Sequence, residues 1–175
     1  MEVFVIAQNR LLSAYMIPSE IPRFSQREEN LILSKSAAIQ VFRQGEYQDF
    51  KESDFNELVE YEKTDAGAEL SSIASDTEAE MNRRLDSLNL DKVNITTPLE
   101  LGAFFSKPNT YSFGMIVKYS DSGKSWTTVI STTYIRVRER LLFAYVTATY
   151  KDNETIAMVR KVSEDWADAI LAANQ

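Results

Sequence analysis

Three runs of strand length, at residues 111–119, 126–137 and 141–150, follow one another with only Asp121-Ser122-Gly123-Lys124 and Arg138-Glu139-Arg140 as their main connections. Connections this short join antiparallel neighbours, because a parallel crossover needs a dozen residues or more. The stretch is therefore expected to form a three-stranded antiparallel meander. Lys151-Asp152-Asn153 stops it, and residues 154–171 then carry Ile156, Val159, Ser163, Trp166, Ala167 and Ile170 on one helical stripe. A helix with such a stripe buries it against one face of the sheet.

Upstream, residues 3–6 and 11–17, separated by Gln8-Asn9-Arg10, read as a hairpin or as two consecutive short strands, closed by Pro18 and Pro22. Residues 31–42 hold another strand signal, strongest at Ala38-Ile39-Gln40-Val41-Phe42. Ser53 or Asp54 is placed to cap a helix beginning near Phe55, in which Phe55, Leu58, Val59 and Glu62 follow helical spacing. Gly67 is expected to interrupt it. A second helix over about 68–88 would bury Leu70, Ile73, Ala74, Thr77, Met81, Leu85 and Leu88. Val93 and Ile95 suggest a short strand, whereas Pro98, Gly102 and Pro108 argue against one long element after it. The expected fold is a single α+β domain over residues 1–175: an antiparallel β-sheet flanked by helices, an α/β/α sandwich, with an acidic helical region at about 46–90.

Charge is distributed unevenly. The whole chain carries a net -7, and between Glu46 and Glu80 there are 12 acids against 2 bases. A polyanionic nucleic acid would be repelled by such a molecule as a whole, so no nucleic-acid partner is expected. The chain has neither cysteine nor histidine. Thiolate nucleophiles, Cys-based zinc sites and His-dependent triads are excluded. No run is long and apolar enough for a transmembrane helix. The start, MEVFVIAQNR, lacks the pattern of a signal peptide, which leaves a cytoplasmic protein, or an exported one whose leader has been removed.

Within Tyr134-Ile135-Arg136-Val137-Arg138, strand alternation places Tyr134, Arg136 and Arg138 on one face. The favoured reading is architectural, with arginines pairing to nearby acids or covering apolar surface with their stems. The alternative is an anion-binding patch of Tyr134, Arg136 and Arg138, aided by Lys118, since guanidinium groups form a fixed fork for carboxylate or phosphate. Phe104 and Phe105 either tuck their segment against the core or stand out as a protein-contact ridge.

Other motifs fall short of their chemistry. Ser120–Thr127 contains Gly123-Lys124-Ser125, the tail of a phosphate-loop signature, but Tyr119 occupies the position of the required first glycine, and the segment joins two strands. The acidic run lacks the central glycine and ligand spacing of a calcium-binding EF-hand loop. No catalytic residue, metal site or cofactor is assigned.

The segments FGMIVKYS, WTTVISTTYIRV, RLLFAYVTATY and VRKVSEDWADAILAAN, preceded by VFRQGEYQDFKESDFNELVE, follow one another in an order that resembles the broad Mog1/PsbP-like α/β/α group. The resemblance covers about half the chain. It implies an antiparallel sheet with helices on both sides and an accessory or binding role, as in that group's nuclear transport factor and photosystem subunits. It transfers no binding residue, partner or cofactor.

The function expected is thus a non-catalytic binding or accessory domain for a protein or cell-envelope component. Small anionic-ligand binding at Tyr134, Arg136 and Arg138 is the alternative, and an enzyme built from carboxylates, tyrosine or lysine the next. An exposed sheet edge would also allow a homodimer.

Overall fold

The computed structural model describes residues 8–26, 33–87, 93–96, 98–121 and 123–174. Chain order is β1 (Asn9–Met16), a 3-10 turn (Pro18–Glu20), α1 (Ile21–Ser25), β2 (Lys35–Phe42), α2 (Glu52–Ser87), β3 (Asn94–Ile95), β4 (Leu99–Lys107), β5 (Thr110–Asp121), β6 (Lys124–Val137), β7 (Arg140–Thr149) and α3 (Asn153–Ala172). The strand expected at residues 3–6 lies outside the described residues.

All pairings are antiparallel, in the order β1-β2-β7-β6-β5. The outer edge of β5 is shared end to end by β4, along Thr110–Ile116, and β3, at Tyr119 and Ser120. The expected meander is present as β5-β6-β7. Its β6–β7 hairpin turns on Arg138 (φ 47°) and Glu139 (φ 59°), which gives both central residues the left-handed conformation that a two-residue loop of this hand requires.

The antiparallel sheet is covered on both faces. On one, Phe55 and Val59 of α2 pack on Tyr111, Phe113 and Tyr134, with Leu58 and Phe143 against them. On the other, Val159 and Ala167 of α3 pack on Val129, Ile135, Ala144, Val146 and Ala148. This second face is lined in part by small hydroxyl residues, which let α3 approach closely. Ser112 and Ser131 share a hydrogen bond of 2.9 Å, and Thr133 donates to Ser112 at 2.9 Å. Such mutual bonding lets buried hydroxyls sit in a core without the cost of unpaired polar groups.

Three boundaries differ from expectation. Helix α2 is one 36-residue element that runs through Gly67. A helical glycine costs about 1 kcal/mol relative to alanine, too little to break a proline-free run of Glu, Lys, Ala and Leu. Its start is Glu52 because the Asp54 carboxylate accepts from Lys51 N at 2.9 Å, half of a capping box. The stripe expected from Leu70 to Leu88 falls on side chains outside the described set.

The third difference is β4. Pro98 and Pro108 bracket it, and Gly102 (φ 74°) sits inside it at one of two register shifts. These residues punctuate a bulged edge strand rather than prevent one. The second shift, between Ala103 and Phe105, turns Phe104 and Phe105 to the same side, toward α3.

Candidate functional site

The first site to test is the face proposed for Tyr134, Arg136 and Arg138, and these residues do not come together around a ligand. Tyr134 is 8% exposed and donates its hydroxyl to Glu62 Oε1 at 2.7 Å. Burial, and then the Glu62 charge, push the Tyr134 phenol far above its ordinary range, so it is a fixed donor. Glu62 is the polar member of the Phe55-Leu58-Val59 stripe, and this bond explains how a carboxylate sits there.

Arg136 stays on the same face, but its Nε donates to Phe50 O at 2.8 Å and its Nη1 to Asn109 Oδ1 at 3.0 Å. Arg138 leaves the strand register at the hairpin turn and donates to Asn174 O, at the end of α3, at 3.1 Å. Lys118 lies at the opposite end of β5. The arginines bond to backbone and side-chain acceptors of distant segments, and the turn at Arg138 breaks the alternation on which the alternative of an anion patch depended.

Of the two readings for Phe104 and Phe105, the positions seen are those of a segment tucked against the core. Phe104 is 7% exposed, its ring occupies the space above Gly114, and the Arg160 guanidinium caps it at 4.9 Å from the centroid. Phe105 is half-buried against Trp166 and its neighbours, with Lys107 over its ring. Lys107 is itself held by Glu164 and Asp168 of α3.

The arginines do something else: they fix the connection between β2 and α2. Arg140 Nη1 donates to Asp49 Oδ1 at 2.7 Å and to Gln48 O at 2.9 Å. Arg136 holds Phe50 O, while Phe50 N donates to Glu139 O at 2.8 Å. From β1, Arg10 forms a two-bond ion pair with Glu46. That bond holds the Glu46 carboxyl below its ordinary value and raises the Arg10 guanidinium. At the centre of this clamped loop Tyr47 stands 85% exposed.

Other large apolar side chains are exposed along the same border of the sheet. Phe42 ends β2 beside Asn9, Leu12 lies midway along β1, and Tyr15 is 54% exposed near its far end. Tyr15 meets Trp166 of α3 edge to face, with ring centroids 5.6 Å apart. Together with Ala37, Val162, Asp165 and Ala169 they line an open cleft of about 480 Å³. Its floor is small (Ala37, Ala169) and its walls are aromatic or branched, so it suits one apolar or aromatic side chain.

A second cleft, of about 660 Å³, lies between α2 and the β5–β6 hairpin, where Glu78, Asn82, Asn94, Asp121 and Lys124 line it. Asn82 there uses its amide to bond both Val93 N and Val93 O at 2.8 Å, and Glu78 accepts from Ile95 N. Those side chains fasten β3 to α2. Its carboxylates make the cleft unsuited to an anion. Among the described residues, no helix is long and apolar enough to cross a membrane, and no three acidic side chains gather as a metal-ligand group.

No known family model, curated protein or solved structure matches this chain. The surface that the geometry singles out is the border of β1, with Tyr47, Tyr15 and Trp166. Sequence reading passed over it because Tyr47 lies in a polar turn, RQGEYQDF, without periodicity. Its one signal was a lone aromatic among charged residues in a loop.

Proposed function

We propose that the chain is a non-catalytic protein-binding domain of the accessory kind, as the Mog1/PsbP-like resemblance implies, and that it meets its partner along the border of β1. The observation that carries this reading is Tyr47: a large aromatic side chain 85% exposed on a loop that Arg10, Arg136 and Arg140 hold in place. Tyrosine is enriched among residues that dominate binding energy, and a loop already ordered in the free protein loses less entropy on association. Surrounding ion pairs, Arg10 with Glu46 and Arg140 with Asp49, supply the polar rim that such anchors have.

The test is capture from an extract of the source cells, separated into soluble and envelope pools, with the intact protein and Tyr47→Ser as baits. One protein retained near stoichiometry by the first and lost from the second, at equal melting temperature, is the expected result. Equal retention by both baits would overturn the assignment of the surface. Empty eluates from both pools would overturn the binding reading itself.

A further inference from the structure

We draw no further inference here: the strongest candidate, the open cleft of about 480 Å³ between Tyr15 of β1 and Val162, Asp165 and Trp166 of α3, carries nothing, because its charged wall residue, Asp165, is already paired with Lys161 and nothing in the structure shows what covers it.

Discussion

Replacing Gly114 with alanine should destabilise the protein, and removing the Phe104 ring should reverse the sign of that effect. A methyl group at Gly114 would overlap the ring of Phe104, which lies directly above it. Overpacking of this kind costs about 1–3 kcal/mol. Phe104 is 93% buried by its exposure of 7%, and truncation of a core phenylalanine to alanine costs about 3–5 kcal/mol. The flexible side chain of Arg160 lies over one face of the ring, so the lower end, about 3 kcal/mol, is expected.

In the Phe104→Ala background the overlap is gone. Glycine inside a strand is then the worse residue, and Gly114→Ala should gain about 0.5–1 kcal/mol. The coupling between the two changes is therefore about 1.5–4 kcal/mol, outside the limit of about 0.5 kcal/mol for independent sites. Urea denaturation of the four proteins measures it. Equal effects of Gly114→Ala in both backgrounds would refute the packing described. So would a Phe104→Ala cost under about 0.5 kcal/mol, the figure for a ring standing free on the surface.

Tyr134→Phe should cost about 1.5–3 kcal/mol, the range for a hydrogen bond to a charged group, and urea denaturation monitored by near-ultraviolet circular dichroism would show it; an unchanged midpoint would mean that the Glu62 contact does not hold α2 to the sheet. Acid should loosen the Tyr47 loop. The Arg10 hydrogen bond depresses the Glu46 carboxyl below its ordinary 4.5, so the stabilisation is complete above that value and is lost as pH falls through the lower folded value. Hydrogen exchange at the Gly45 and Gln48 amides, which bond to Phe42 O and Gly45 O, should accelerate over that interval beyond its intrinsic pH dependence, and Glu46→Gln should erase the step. A pH response identical in the two proteins would detach Glu46 from the loop.

Much of this fold could be read from the chain itself because its causes are local. The β5-β6-β7 meander follows from connections too short for any crossover, and α3 from one apolar stripe after Lys151-Asp152-Asn153; the structure adds the cap, in which the Asp152 carboxylate accepts from Thr155 N. The Phe55-Leu58-Val59-Glu62 spacing likewise marked the face that α2 turns to the sheet. Local rules misplaced boundaries where a single glycine was read as a stop. Gly67 was absorbed into a long helix, and Gly102 into an edge strand that bends at it.

The candidate site was almost wholly a matter of tertiary structure. Alternation in TYIRVRE grouped Tyr134, Arg136 and Arg138, yet a left-handed turn at Arg138 and Glu139 separated them, and their partners lay far along the chain at Glu62, Phe50, Asn109 and Asn174. Nor could any local pattern show that Arg10, Arg136 and Arg140 converge on one loop, or that Tyr15 and Trp166 wall one cleft. The sequence by itself determined which segments are strands and helices and which of their faces are apolar, because periodicity and turn chemistry act between near neighbours. Only the tertiary structure decided which charges are spent on holding loops and which aromatic rings are left exposed, because both depend on what distant segments bring to the same place.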